Sequence, residues 1–90
     1  MIYRHRIRIV LDILDAIKDG HSDGVSITHV MRKANIPYNR IVRIVGELVR
    51  VGLIEEITEK RKYRITPSGI RFLSEWEKFS AFAESFGLEL

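Results

Sequence analysis

A chain of ninety residues can form one domain at most. Its composition, 46% hydrophobic and 30% charged residues, is that of a globular protein and argues against a disordered tail. The absence of cysteine excludes disulfides, thiolate zinc sites and cysteine nucleophiles. The net charge is +3, but residues 1–66 hold 13 Lys and Arg against 8 Asp and Glu, whereas residues 67–90 hold 2 against 4. This asymmetry fits an anionic partner that meets only the first part, and it also fits an ordinary solvated surface.

Composition and the first residues bear on where the protein works. Thirteen isoleucines and the absence of both cysteine and glutamine resemble the composition of a heat-adapted intracellular protein. Asp12, Asp15 and Lys18 interrupt the apolar run near the N-terminus, so it resembles neither a signal peptide nor a membrane span. We therefore expect a cytoplasmic protein without a membrane segment.

The first element is a helix over about residues 5–19, ended by Gly20. Its core-facing apolar residues recur at helical spacing: Ile7, Val10, Leu11, Leu14 and Ile17. A second apolar row lies on another side of the same helix: Ile2, Ile9, Ile13 and Ala16. Two apolar rows indicate either a helix at the centre of the domain or a helix that also contacts another subunit.

The loop over residues 19–24 mixes acidic residues and glycine, as calcium loops do. If Asp19 opened a twelve-residue EF-hand loop, His21 would stand at the third position and Val30 at the closing position that requires a carboxylate. The sequence therefore predicts a surface loop without calcium.

A helix-turn-helix is predicted next. Ser26 is a favourable N-cap for a helix that runs to about Ala34 and exposes His29, Arg32 and Lys33. Asn35 and Pro37 then end that helix, since proline excludes its continuation. A turn of about three residues holds two helices at the steep angle of this motif.

The second helix of the motif covers about residues 37–51 and has an arginine every three or four positions on its polar side. Its apolar side comprises Ile41, Val45, Leu48 and Val49, and its polar side comprises Asn39, Arg40, Arg43, Glu47 and Arg50. This pattern matches a helix in the DNA major groove, where guanidinium groups reach guanine edges and phosphates. The candidates for base contacts are Tyr38, Asn39, Arg40 and Arg43, and those for phosphate contacts are Arg50, Arg32 and Lys33.

The same arginines also fit a solvated helix face, with Glu47 paired to Arg43 or Arg50 across one turn. Gly46 is unfavourable in the middle of a helix and has two explanations, close packing or close approach of a ligand backbone. Packing is the favoured one.

A hairpin should follow directly. Gly52 ends the helix, an extended run begins at Leu53, and residues 58–61 form the tip. Tyr63 and Ile65 alternate with polar residues, as in a half-buried return strand. The hairpin is a two-stranded wing whose basic residues are candidates for phosphate or minor-groove contacts: Lys60, Arg61, Lys62 and Arg64.

Residues 26–76 resemble a small archaeal winged-helix family of dimeric DNA-binding proteins with a long C-terminal helix. The resemblance rests on Ala34-Asn35 before the turn, Leu48 followed by Gly52-Leu53-Ile54, Tyr63-Arg64-Ile65-Thr66 leading into Gly69, and Phe72-Leu73. It implies that the helix at 37–51 recognises DNA, that the hairpin at 53–65 is the wing and that the last helix dimerises. Pro37 departs from the family, whose members often have a capping polar residue there.

The last helix has a strong start signal, Thr66 as N-cap followed by Pro67 at the first helical position, and Gly87 is its predicted end. About twenty residues give a length of roughly 30 Å, more than the domain can cover. Ile70 and Leu73 are expected to face the core. A heptad seam comprises Phe72, Trp76, Phe79, Ala83 and Phe86.

Aromatic side chains on such a seam are expected to be covered by another helix. We predict a homodimer through the seam, and the resemblance implies an antiparallel coiled coil. The alternative is that the last helix folds back onto the second apolar row of the first helix within one chain.

The three histidines occupy different elements, and no catalytic triad, zinc spacing or phosphate loop is visible. We therefore expect no enzyme, cofactor or small-molecule ligand. The fold class is mainly α (α+β), with a winged-helix domain at residues 1–66 and a dimerisation helix at residues 67–90. The predicted function is a dimeric protein that binds double-stranded DNA as a transcriptional regulator or chromatin-type architectural protein. The alternative is a protein-interaction module within a larger assembly.

Overall fold

The computed structural model describes residues 5–90 and confirms the predicted mainly helical, winged helix-turn-helix architecture. Its four helices are α1 (Arg6–Lys18), α2 (Ile27–Ala34), α3 (Tyr38–Arg50) and α4 (Pro67–Glu84). Its three strands are β1 (Val25–Ser26), β2 (Ile54–Ile57) and β3 (Lys62–Ile65). One 3-10 turn (His21–Asp23) precedes β1, and another (Thr58–Lys60) joins β2 to β3.

The sheet has one strand more than the sequence predicted. The strands are antiparallel in the order β1-β3-β2, with Val25 opposite Tyr63 and Ser26 opposite Lys62. The predicted two-stranded wing is formed by β2 and β3, whereas β1 was not predicted because it is only two residues long, too short to show an alternating pattern. Ser26 also serves as the N-cap of α2, where its hydroxyl accepts a hydrogen bond from the backbone N–H of His29.

The two faces of the sheet differ. Opposite pairs in β2 and β3 are Ile54 with Ile65 and Glu55 with Arg64. Ile54 is buried in the core, and Ile65 packs against it. Because side chains alternate across a strand, Tyr63 shares this inner face, whereas Glu55 and Arg64 share the outer face.

The core is centred on α1. Ile9, Ile13 and Ala16, from the second apolar row, are buried together with Leu14 and Ile17. This burial favours the central helix over a subunit contact as the explanation of the two rows. Ile2, the other member of the second row, lies outside the described residues.

Backbone geometry explains the tight turn between α2 and α3. Asn35 has a left-handed conformation with φ 57° and ψ 54°, which asparagine tolerates better than most residues. The backbone N–H of the buried Ile36 returns to the carbonyl of Met31 at 3.2 Å. Pro37 is extended and precedes the first residue of α3, so the helix begins at Tyr38.

Thr66 connects three parts of the fold at the start of α4. Its Oγ1 donates to the carbonyl of Gly52 at 2.6 Å and accepts from the N–H of Gly69 at 3.1 Å. Its backbone N–H donates to the carbonyl of Leu53 at 3.2 Å. A Cβ on Gly69 would lie 2.2 Å from that same carbonyl oxygen, so only glycine fits at this contact.

The end of α4 also follows the prediction. Gly87 has φ 78°, and its N–H donates to the carbonyl of Glu84, while the N–H of Leu88 donates to that of Ala83. The inward position expected for Ile70 was wrong, since its side chain is 49% exposed whereas Leu73 is buried. Gly69 occupies the contact with the wing, and the next helical position turns away from it.

One side of α4 packs along α1, with Leu73 in the core and the guanidinium of Arg8 donating to the carbonyl of Leu90 at 3.2 Å. Asp15 of α1 lines the cleft between the two helices together with Glu77 of α4. Loss of hydration raises the pKa of Asp15 above its ordinary value of 3.8; Lys18 opposes this rise, and Asp12, Glu77 and Asp19 add to it.

Asp15→Asn is expected to raise the melting temperature at pH 7 by about 1–3 °C. A carboxyl whose folded pKa is raised favours the unfolded state once the pH exceeds its unfolded value, so this destabilisation is present at neutral pH and absent below 3.8. Thermal denaturation followed by circular dichroism at pH 7 and pH 3 checks the expectation. An equal difference between the variant and the parent at both pH values would contradict it.

Candidate nucleic-acid interface

A row of exposed residues runs along α3. Asn39, Arg43, Gly46 and Arg50 follow one another at spacings of four, three and four, which places them on one line of the helix surface. The opposite side is buried and comprises Ile41, Ile44, Val45 and Leu48. Burial of that side fixes the rotation of α3 and directs the row into solvent.

The cations of this helix are available for a ligand. Glu47 pairs with Arg6 of α1 and not with Arg43 or Arg50, the partners considered from the sequence. Across residues 5–90, no acidic side chain forms an ion pair with Arg40, Arg43 or Arg50. A row of unpaired guanidinium groups attracts anions more strongly than a row of internal salt bridges does.

Two tyrosines, Tyr38 at the start of α3 and Tyr63 on the inner face of the sheet, are linked electrostatically. Tyr38 is exposed at the helix start. Burial, followed by the charges of Glu56 and Tyr38, raises the pKa of the Tyr63 hydroxyl. Tyr38 is the weakest of these influences on the pKa of Tyr63.

The basic residues of α2 are less free. Arg32 and Lys33 are exposed on its last turn, but Lys33 pairs with Asp19 at the end of α1. That hydrogen bond is the main reason that the pKa of Asp19 is lowered. His29 Nε2 lies 3.7 Å from the same carboxylate, beyond hydrogen-bond distance.

The wing divides its basic residues between two places. Lys60 and Arg61 are exposed at the tip, where Arg61 adopts φ 53°. Arg64 is half-buried on the outer face and pairs with Glu55. Lys62 shares that outer face. The structure thus brings the tip residues into the open but places Arg64 on the face of the sheet away from Tyr63.

The aromatic residues of the predicted seam have unequal environments. Phe72 and Trp76 are half-buried against the core, and Ala83 is only 6% exposed. Phe79 and Phe86 are 55% and 67% exposed. A shallow depression of about 440 Å³ on this side of α4 is lined by Ser68, Arg71, Phe72, Glu75, Trp76 and Phe79.

Phe82 was missed by the heptad spacing. It is 63% exposed, and its ring meets that of Phe86 edge-on, with centroids 5.2 Å apart. The spacing of four between these residues was the available signal, because it places them on adjacent turns of one side. Phe79, Phe82 and Phe86 form what we call the aromatic patch.

Other kinds of site find little support in the described part of the chain. Residues 5–90 contain no group of three or more His, Asp or Glu side chains that could hold a metal ion. None of the helices within this range is long and apolar enough to cross a membrane.

Comparison with known proteins adds a family to this geometry. A family model described as winged helix-turn-helix matches residues 3–84, nearly the whole chain. The chain belongs to the winged helix-turn-helix family. Within that family assignment, α2 and α3 are the helix-turn-helix, and β2 and β3 form the wing. No curated protein matches the chain.

A solved structure is similar to this winged helix-turn-helix protein over most of its length. It is the crystal structure of Sso10a-2, a DNA-binding protein from Sulfolobus solfataricus. The TM-score is 0.72 and the sequence identity is 28%, with 92% of this chain and 85% of the other chain covered. The similarity supports the archaeal winged-helix family that the sequence resembles.

Proposed function

We propose that this chain is a homodimeric winged-helix protein that binds double-stranded DNA through α3 and the tip of the wing. The observation that carries the proposal is the exposed row on α3, whose arginines form no ion pair with an acidic side chain of residues 5–90. The similarity to Sso10a-2, a DNA-binding protein, supports the same ligand. The proposed role of this chain is that of a transcriptional regulator or a chromatin-type architectural protein.

In the proposed complex, α3 lies in the major groove. Asn39, Arg40 and Arg43, in the first half of the helix, face base edges, with Tyr38 at the groove entrance. Arg50 in the last turn contacts a phosphate. The tip residues Lys60 and Arg61 follow the backbone beyond the groove.

The remaining basic residues contribute less directly in this proposal. Lys33 and Arg64 each have an internal carboxylate partner, so a phosphate would have to replace Asp19 or Glu55. Arg32 and Lys62 have no such competitor within residues 5–90 and add to the local positive potential. We therefore expect α3 and the wing tip to dominate the affinity.

The aromatic patch supports a second copy of the chain as the other partner. Three exposed phenylalanines on one helix form an apolar surface that association would remove from water. Phe72 and Trp76 continue this surface toward the core, and the opposite side of α4 is already occupied by α1. An antiparallel pair of α4 helices would place one winged domain at each end.

Titration of the protein into labelled duplex DNA at 50 mM and 200 mM salt tests DNA binding. Because phosphate contacts release counterions, a protein with six or more contacts is expected to lose roughly a thousandfold in affinity between these salt concentrations. Fluorescence anisotropy measures the affinity directly. Absence of binding at the lower salt concentration would contradict the proposed ligand.

Selection of bound duplexes from a random pool then distinguishes a transcriptional regulator from an architectural protein. Enrichment of a discrete motif with two related half-sites supports a regulator, because a two-fold dimer reads a two-fold site. Recovery of duplexes without a common motif supports an architectural protein.

The aromatic patch also favours one alternative, a protein-interaction module whose α4 binds a different chain. Light scattering of the purified protein discriminates between a homodimer and a module that binds a different chain. A monomer mass of 10.5 kDa at micromolar concentration favours the different partner, and twice that mass favours the homodimer.

A further inference from the structure

Gly46 stands near the middle of α3, on the exposed row. Glycine is the least favourable helix-interior residue apart from proline, because it loses the most conformational freedom on folding. Such a residue needs either a reason within the fold or a reason outside it.

The described part of the fold supplies no reason. Among residues 5–90, a Cβ built at Gly46 meets no atom within 4 Å, and the residue does not have the positive φ that favours glycine. At Gly69, by contrast, an added Cβ would lie 2.2 Å from a carbonyl oxygen. Packing against residues 5–90, the favoured explanation of Gly46 from the sequence, therefore does not account for this glycine.

The position of Gly46 points to a ligand. Arg43 precedes it by three residues and Arg50 follows it by four, so Gly46 lies between two exposed cations on the same line of the helix. Glu47, the nearest carboxylate on the helix, is held by Arg6. A bare stretch of backbone flanked by guanidinium groups suits close contact with a polyanion.

We infer that Gly46 is the point of closest approach between α3 and the sugar-phosphate backbone of bound DNA. The missing side chain lets the helix sink into the groove far enough for Arg43 and Arg50 to reach their partners together. This inference rests on the proposed function and adds a positioning residue to it. Gly46 itself makes no hydrogen bond to a base and acts through the depth at which the arginines sit.

Substitution at Gly46 should change stability and DNA affinity in opposite directions. Gly46→Ala is expected to raise the melting temperature by about 4–8 °C, since alanine is the better helix former and has free space. The same methyl group is expected to lower duplex affinity about tenfold by holding α3 away from the groove. Gly46→Leu should lower the affinity further, because its side chain is longer.

Ser74→Ala provides the matched control. Ser74 is exposed on the side of α4 away from the aromatic patch, so alanine there also improves a helix without touching α3. We expect this variant to melt at a slightly higher temperature and to bind DNA like the parent. A loss of affinity in Gly46→Ala alone then cannot come from added helix stability.

Two measurements distinguish the outcomes. Circular dichroism gives the melting temperature, and anisotropy titration with one duplex at 50 mM salt gives the affinity. Higher stability with weaker binding supports the inference. If the parent binds DNA in a salt-dependent way and Gly46→Ala binds equally well, the inference is overturned while the proposed function stands. A lower melting temperature for Gly46→Ala would also overturn it, by showing that the fold needs glycine there. If the parent does not bind duplex DNA, the proposed function fails first.

Discussion

Replacing Arg40 and Arg43 together by alanine is expected to lower the affinity for duplex DNA about a hundredfold. Both side chains are exposed in the first half of α3, and neither has an acidic partner among residues 5–90. A good arginine contact to a base edge contributes roughly 1–3 kcal/mol, so the loss of two such contacts gives a change of this size. Anisotropy titration at fixed salt measures the affinity, and a binding selection measures the sequence preference.

A charge-matched control separates local contacts from net charge. Lys18→Ala with Lys78→Ala also removes two cations, from exposed positions on α1 and α4 that lie outside the proposed interface. We expect at most a few-fold loss of affinity there, because only the long-range potential changes. Equal losses in the two double variants, with sequence preference unchanged, would show that α3 is not the recognition helix.

The second large effect is expected from Phe79→Glu with Phe86→Glu, which should convert the proposed dimer into a monomer. Burying one phenylalanine side chain contributes roughly 1.5–3 kcal/mol, and each substitution also places a charge where the patch would be covered. Because both rings are exposed in a single chain, the monomeric variant should keep the helix content of the parent and still unfold cooperatively. Sedimentation equilibrium and far-UV circular dichroism measure the two properties.

Ser74→Glu with Lys78→Gln is the control, since it makes the same change of two charge units at exposed positions of α4 and leaves the three rings of the aromatic patch in place. This variant is expected to remain dimeric. The monomeric variant should also bind a two-half-site duplex more weakly, while retaining affinity for a single half-site. If both variants keep the mass of the parent, the aromatic patch is not the subunit contact.

The sequence predicted those parts of the fold that repeat a periodic pattern. The apolar spacing in α1 and α3 predicted their burial, and Thr66 with Gly87 predicted where α4 begins and ends. β1 was not predictable, because its two residues pair with β3 through backbone groups that any side chain allows. Nor was the outward position of Ile70, which depends on the contact of Gly69 with the carbonyl of Leu53.

The candidate interface was predictable in its exposed residues but not in its ion pairs. The spacing of Arg43 and Arg50 predicts a common face, because helical geometry alone determines it. The pairing of Glu47 with Arg6 joins residues 41 positions apart and depends on how α1 crosses α3. Periodicity within one element cannot give the contacts between elements, and those contacts determine which cations remain available.

The three hydrogen bonds of Thr66 have a consequence for the geometry of a DNA site. They link the end of α3, the start of the wing and the first turn of α4 through one residue, so the winged domain and its α4 helix are joined without a flexible hinge. In the proposed dimer, the separation and relative rotation of the two recognition helices would then be set by the length of α4. Such a dimer would favour half-sites in one phase of the double helix and reject those displaced by half a turn, about five base pairs.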